Sequence, residues 1–322
     1  MKLIIQIPCY NEEKTLPITL AALPRKVPGF DQVEWLVIDD GSTDNTVRVA
    51  QEAGVDHIVR HTHNQGLARA FMTGLDACLR LGADVIVNTD ADNQYNAEDI
   101  PALTAPILEG RADIVVGVRP IDSIAHFSPL KKVLEKLGSW VVRVVSKTDI
   151  PDATSGFRAI SRTAAQQLMV FNDYTYTLEM IIQAGQKNMA ITWVPIRVNE
   201  PLRPSRLVRS IPSYIWQSIV TIVRIFVIYR PFRFFGTIAL VLFVPGFLLG
   251  VRFLVKYLAG QGAGHVQSLI LAAILMIMGF QTFLLAFLAD LLAANRKLME
   301  DLRFRMRAQI DKEVARNKSL DP

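Results

Sequence analysis

The sequence predicts an α/β domain built on a mostly parallel sheet, followed by an interfacial helix and two transmembrane helices. Three observations predict it. Over the first two hundred residues, short β-branched runs ending in polar turns alternate with amphipathic stretches. Composition shifts near Pro201. Beyond that point, residues 234–251 and 266–289 carry no charge at all.

The first strand, residues 3–7, ends in Pro8-Cys9-Tyr10-Asn11-Glu12-Glu13, and residues 15–23 read as a helix. Residues 35–38 lead into Asp39-Asp40-Gly41-Ser42-Thr43-Asp44, with a helix over 43–53. A third strand at 57–59 passes through Asn64-Gln65-Gly66 into a helix at 66–81. A fourth at 85–88 ends in an acidic segment, with a helix at 97–109, and a fifth lies at 114–116. Short aliphatic runs bounded by turn residues are strand signals. Strands alternating with helices give a parallel sheet covered on both faces. Ligands in such sheets bind beyond the carboxyl ends of the strands, so the chemistry is expected there.

Residues 211–229 are apolar apart from a few polar positions and Arg224, with Tyr214, Trp216 and Tyr229 among them. This pattern reads as an amphipathic helix in the membrane interface; a spanning helix is the competing reading. The stretch from 234 continues through Arg252 to 258, and each charge-free stretch meets the roughly 20 residues a spanning helix needs. Arg252 and Lys256 sit near one end, where long side chains reach the interface. The loop at 259–265 has no Lys or Arg. Arg203, Arg206, Arg209, Arg230 and Arg233 precede the hairpin, and Arg296, Lys297, Arg303, Arg305 and Arg307 follow it. The positive-inside rule then puts the first domain and the C-terminus in the cytoplasm. The expected organisation is a domain over 1–205, a juxtamembrane region over 206–233, a hairpin over 234–293 and a basic tail over 294–322. The tail reads as a solvated helix, with headgroup contact as the alternative. The glycine-rich segment at 260–264 follows no soluble strand, which argues against a phosphate loop.

The chain has 322 residues, 51% of them hydrophobic, and a net charge of +5. Its sequence pI is about 9.2 and its mean hydropathy +0.27. A basic balance suits anionic partners such as lipid headgroups or phosphorylated substrates. No nucleic-acid partner is expected. Cys9 and Cys78 offer no disulfide framework, and Cys9 reads as a buried thiol in a reducing compartment. The N-terminal run is too short and strand-like for a signal peptide. His61 and His63 alternate, but no Cys, Asp or Glu joins them at metal-ligand spacing. His126 and His265 receive no role. No Ser-His-Asp or Cys-His arrangement demands a covalent mechanism.

The strongest motif is Asn88-Thr89-Asp90-Ala91-Asp92-Asn93-Gln94. In an extended segment alternate residues share a face, so Asp90 and Asp92 can address one ligand. Mg²⁺ is typically held by one or two carboxylates plus phosphates and water. An acidic pair at a strand end therefore suits a metal–pyrophosphate complex; a helix-capping acidic turn is the plainer alternative. Ser42, Thr43 and Asp44 are ordinary capping residues, whereas Asp39 ends an apolar run and can accept hydrogen bonds from a base or ribose.

Pro8–Glu12, the Asp39–Asp44 run, Asn64-Gln65-Gly66 with Ala68 and Ala70, and Asp90-Ala91-Asp92-Asn93-Gln94 together resemble family 2 inverting glycosyltransferases with the GT-A fold. Thr154-Ser155-Gly156-Phe157-Arg158 resembles the signature of dolichyl-phosphate mannose synthase and its bacterial relatives. The resemblance covers roughly residues 1–210. The terminal pair of spans looks like the bacterial GtrB-type glucosyltransferases, which implies a homo-oligomer.

The resemblance implies that Pro8, Tyr10, Asn11, Glu12 and Asp39 line a nucleotide pocket, with Asp90 and Ala91 against the donor. It implies Asp92 and Gln94 as ligands of Mg²⁺ or Mn²⁺, with Asp90 nearer nucleotide or metal water. Arg119 matches an arginine near donor phosphate or sugar; a surface salt bridge is the alternative. Arg203 and Arg206 match a basic pair gripping pyrophosphate or acceptor phosphate, or else are flanking positive charge. Pro201 and Pro204 stand where the family often has a longer glycine- and lysine-containing loop. Asp152 either faces the acceptor or forms a turn, and Glu179 is a cleft contact or a solvated residue. The implied activity is metal-dependent, inverting transfer of a sugar to polyprenyl phosphate, with UDP-glucose as first donor and GDP-mannose as alternative. A processive polysaccharide synthase would carry Gln-x-x-Arg-Trp, which is absent. A non-catalytic scaffold is disfavoured by the intact acidic motif.

Overall fold

The computed structural model describes residues 1–120, 129–170, 176–200, 202, 216, 220, 223–224, 227–260 and 266–318. Arg203, Arg206, Arg209, most of 211–229, His126, His265 and the glycine-rich segment beyond Gly260 lie outside the described residues. The chain divides into two compact units, Met1–Ile215 with Arg303–Pro322, and Trp216–Leu302.

The first unit carries a seven-stranded sheet in the order β3-β2-β1-β4-β6-β5-β7. The strands are β1 (Lys2–Cys9), β2 (Gln32–Asp39), β3 (His57–Arg60), β4 (Val85–Asn88), β5 (Ile114–Val118), β6 (Arg158–Ser161) and β7 (Ile191–Pro195). The first five match the five expected from hydrophobic runs. Helices α1 (Leu16–Ala22), α2 (Thr46–Glu52), α3 (Leu67–Arg80) and α4 (Ile100–Leu108) fall where amphipathic stretches predict them. Further helices are α5 (Pro129–Ser146), α6 (Arg162–Gln167) and α7 (Tyr176–Gln186).

β1 pairs in parallel with β2 on one side and β4 on the other. The chain winds outward through β2 to β3 and then returns to the far side of β1. That reversal is a topological switch point, where open sheets form their ligand crevice. β6 is antiparallel to both β4 and β5. Side chains alternate across β1: Leu3, Ile5, Ile7 and Cys9 pack on one face, and Ile4 joins the core on the other. Apolar layers on both faces explain the near-continuous hydrophobic reading of the strands.

The second unit holds α8 (Pro231–Leu258) and the start of α9 (Val266–Lys318). Pro231–Leu258 and Val266–Met299 each reach a mean hydropathy of 2.4, long and apolar enough to cross a bilayer. The tail is no separate element: α9 runs on through it, because no glycine or proline interrupts residues 280–321. Small residues mark the seam between the two helices. Ala239, Ala272 and Ala286 are buried in an otherwise exposed hairpin. A Cβ on Gly246 would come within 2.9 Å of Leu275 Cβ, and one on Gly279 within 2.8 Å of Phe243 Cβ. Close backbone approach through small residues is how apolar helices associate without a hydrophobic driving force.

Candidate active site

The carboxyl ends of β1, β2 and β4 open on one edge of the sheet because the three strands are adjacent and parallel. Side chains stitch the first two turns together. Asn11 N–H donates to Ser42 Oγ at 2.9 Å, and Asn11 Oδ1 accepts from Thr43 N–H at 2.8 Å. Glu12 N–H donates to Thr46 Oγ1 at 2.8 Å. Asn11 takes a left-handed conformation, φ 55°, to turn the chain here. Pro8 and Glu12 are buried, whereas Tyr10 presents its ring outward.

Asp39 is fully buried at the end of β2. Its Oδ1 accepts from Ser42 N–H at 3.0 Å. Its Oδ2 accepts no hydrogen bond, although Arg60 Nε lies 3.0 Å away. The two facts agree if the guanidinium contact is ionic and poorly aligned, which leaves Oδ2 able to accept from a ligand. Asp40 instead has structural partners: Gln65 N–H, Gly66 N–H and His61 Nδ1, at 2.9, 2.8 and 2.7 Å. His61 Nε2 meets Thr73 Oγ1 at 2.9 Å. His61 is thus a buried bridge, not an idle loop residue. Gly41 permits this stacking of turns, since a Cβ there would lie 2.5 Å from the His63 carbonyl carbon.

β4 delivers the acidic motif. Asn88 is buried and anchors the strand end, donating to Gly156 O and Tyr176 Oη at 2.9 Å each. Asp90 and Asp92 are brought together by a tight turn over 91–92, not by the extended segment expected from alternation. Asn93 at φ 55° completes it. The turn is favoured because Asp92 Oδ1 accepts the backbone N–H of Gln94 at 3.4 Å, an aspartate turn. Gln94 Nε2 donates to Asp90 Oδ2 at 2.7 Å. Ala91 is buried, its carbonyl held by Thr19 Oγ1 at 2.9 Å. Burial, then repulsion from Asp92, pushes the Asp90 carboxyl up to about 6. Gln94, Arg119 and Tyr95 act in the opposite direction.

Behind Asp90 stands the 154–158 segment. Gly156 is needed because a Cβ would sit 3.0 Å from Tyr176 Oη and 3.1 Å from Asp90 Oδ1. Gly156 N–H donates to Tyr95 Oη at 2.9 Å, and Tyr95 stacks on Phe157. Arg158 is wholly buried, donating to the carbonyls of Ser155, Thr177 and Ala153. Burial lowers its pKa to about 10. Sequence reasoning quoted Arg158 only as part of a motif; in the fold it clamps the 153–155 backbone to α7.

Arg119, just past β5, and Asp152 meet each other. Arg119 Nε and Nη2 donate to Asp152 Oδ2 and Oδ1 at 2.7 and 2.9 Å, and Nη2 also reaches Thr154 Oγ1 at 2.7 Å. The surface salt-bridge alternative is overturned: Asp152 is fully buried and the Arg119 side chain 11% exposed. Burial raises the Asp152 carboxyl, but the hydrogen bonds and charge of Arg119 outweigh it and the net shift is downward. Glu179 is buried on α7, so the solvated reading fails.

A family model described as glycosyl transferase family 2 matches residues 4–169, from the first strand to just beyond α6. The chain belongs to glycosyl transferase family 2. It is 30% identical over 207 residues to an undecaprenyl-phosphate mannosyltransferase of Micrococcus luteus, covering 61% of this chain and 83% of the relative. It is also 30% identical over 213 residues to a UDP-N-acetylglucosamine–dolichyl-phosphate N-acetylglucosaminyltransferase of Methanococcus voltae, covering 59% and 83%. Among solved structures, glucosyl-3-phosphoglycerate synthase of Mycobacterium tuberculosis, in complex with Mn²⁺, UDP and phosphoglyceric acid, superposes with a TM-score of 0.53. That match covers 69% of this chain and 78% of the other at 19% identity, and shows the shared GT-A fold. The protein is a glycosyltransferase.

Proposed function

We propose that this family 2 enzyme transfers a sugar from a nucleotide-sugar to a polyprenyl phosphate, with inversion at the anomeric carbon. The observation that carries the reading is the convergence of three parallel strand ends on one edge. That edge presents an unsatisfied Asp39 oxygen at one strand end and the crowded Asp90–Asp92 pair at another. The names of the curated relatives support a polyprenyl-type lipid phosphate as acceptor.

In this reading Asp39 accepts from the base or ribose, while Pro8, Tyr10, Asn11 and Glu12 form the wall of the nucleotide pocket. Asp90 and Ala91 lie against the donor. Among the described residues, no group of three or more His, Cys, Asp or Glu forms a self-sufficient metal cage. Two carboxylates raised in energy by mutual repulsion fit a Mg²⁺ or Mn²⁺ ion that completes its shell with phosphate oxygens and water. Asp92 and Gln94, with Asp90 beside them, would hold it. When bound, the ion supplies positive charge against the leaving nucleoside diphosphate.

The acceptor is a phosphate monoester with a second pKa near 6, so it needs little help from a general base at neutral pH. An acceptor phosphate oxygen forms the new bond to the anomeric carbon as the bond to the diphosphate oxygen breaks. The electron pair leaves with the nucleoside diphosphate. Arg119, oriented by Asp152, places positive charge near Asp90 and the donor phosphates. Arg203 and Arg206 offer bidentate phosphate contacts in this scheme on sequence grounds. α8 and the apolar part of α9 cross the bilayer, with the transferase domain and C-terminus cytoplasmic by the distribution of basic residues.

UDP-glucose is the first donor to test. The mannosyl and N-acetylglucosaminyl relatives support GDP-mannose and UDP-N-acetylglucosamine equally. Purified protein incubated with undecaprenyl phosphate and each radiolabelled nucleotide-sugar should label the lipid from one donor and not with EDTA. Absence of labelled lipid with every donor, while the folded protein binds nucleotide, would support a non-catalytic scaffold instead.

A further inference from the structure

α5 is apolar on two faces. Its inner face is packed into the domain: Val141, Val142 and Val145 are buried, and Ser139 Oγ accepts from Ala153 N–H at 3.1 Å. Its outer face carries Val133, Leu137, Trp140 and Val144, which are 60, 44, 53 and 50% exposed. Their spacing of four, three and four residues puts them on one stripe of the helix. The helix is about 27 Å long, at roughly 1.5 Å per residue. Contiguous exposed apolar surface of this kind marks an interaction site rather than ordinary solvent contact.

We propose that the outer face of α5 is a membrane-docking surface that lies in the headgroup region of an anionic bilayer. The charge pattern favours lipid as the occupant. Lys131, Lys132, Lys136 and Arg143 stand against a single acid, Glu135, over the whole helix. Basic residues beside an apolar face add electrostatic attraction to anionic lipid. Tryptophan, amphipathic and large, is the residue enriched at that depth. A second copy of the helix would bring like charges together, which disfavours self-association. The same chain also holds two helices able to span a bilayer. The inference rests on the membrane placement proposed above, and it gives the transferase domain its own contact with the surface where a lipid phosphate resides.

The test is depth-resolved spin labelling of the full chain in liposomes of phosphatidylethanolamine and phosphatidylglycerol. Cys9 and Cys78 are both buried, so a thiol label goes to an introduced cysteine. Leu137→Cys and Val144→Cys should collide preferentially with oxygen over a water-soluble nickel chelate. Glu52→Cys, on the exposed side of α2, should show the reverse. Leu248→Cys, within α8, reports the hairpin itself. An aqueous signal at Leu248 would remove the membrane reading altogether. A lipid signal at Leu248 with aqueous signals at Leu137 and Val144 overturns only the α5 proposal. So does exclusion of both reagents there, which would mean protein covers the stripe. Trp140→Glu, a surface change, should raise the KM for long-chain acceptor about fivefold or more in anionic liposomes. Its KM for nucleotide-sugar should remain unchanged.

Discussion

Asp152 and Arg119 are joined at two points, Oδ2 to Nε at 2.7 Å and Oδ1 to Nη2 at 2.9 Å, with the carboxylate fully buried. Removing one partner of a buried pair leaves the other charge poorly compensated, at a cost of about 3–5 kcal/mol. Asp152→Ala should therefore destabilise the transferase domain by that order. Urea denaturation followed by tryptophan fluorescence measures it. A change under about 1 kcal/mol would place the pair in the weak class of exposed ion pairs.

The same pair fixes a direction for acid stability. The net effect on Asp152 is a carboxyl held below its reference value of 3.8. A carboxylate with a lowered folded pKa contributes fully above its unfolded value and loses that contribution as pH falls through the folded value. The native protein should lose stability as pH drops below about 4, and Asp152→Asn should lose less over the same interval. Denaturation midpoints at about pH 5 and pH 3 for both proteins check the sign.

Gly156→Ala places a methyl group 3.1 Å from Asp90 Oδ1 and 3.0 Å from Tyr176 Oη. Neither neighbour is a free chain end: Asp90 accepts from Gln94, and Tyr176 Oη accepts from Asn88. The variant should cost about 1–3 kcal/mol by overpacking and lower kcat at least tenfold by moving Asp90. Steady-state kinetics beside a thermal melt separate the two. A variant with wild-type kcat would show that Asp90 need not hold this position.

Much of this was legible in the sequence, for physical reasons that also explain the misses. β1, β2 and β4 are buried on both faces, so their residues read as unbroken apolar runs ending in polar turns. β6 was missed because its first residue is Arg158, and a charge argues against a central strand. The fold tolerates it by giving its donors three backbone carbonyls. The union of Arg119 with Asp152, and of Asp40 with His61, joins residues 33 and 21 apart. No local pattern announces such pairs. Asp90 and Asp92 were rightly grouped, but by the wrong geometry, since the aspartate turn overrides simple alternation.

The hairpin seam gives a prediction independent of catalysis. A side chain at Gly279 would start 2.8 Å from Phe243 Cβ and 2.9 Å from its backbone nitrogen. Gly279→Leu should force α8 and α9 apart and lower the melting temperature in detergent, whereas Leu284→Ala, at an exposed position of the same helix, should change little. Equal melting of both variants would contradict close packing at Gly279.

The central claim is that the turn after β4 holds a divalent cation against a nucleoside diphosphate. Calorimetric titration of the full chain with UDP and with GDP, each with Mn²⁺ and with EDTA, tests it most directly, with Asp92→Ala run in parallel. The account predicts that one nucleotide binds to the native protein, at least tenfold more tightly with Mn²⁺, and that Asp92→Ala loses this gain while still melting cooperatively. Equal affinity with and without the cation, or an unchanged Mn²⁺ effect in Asp92→Ala, would contradict it.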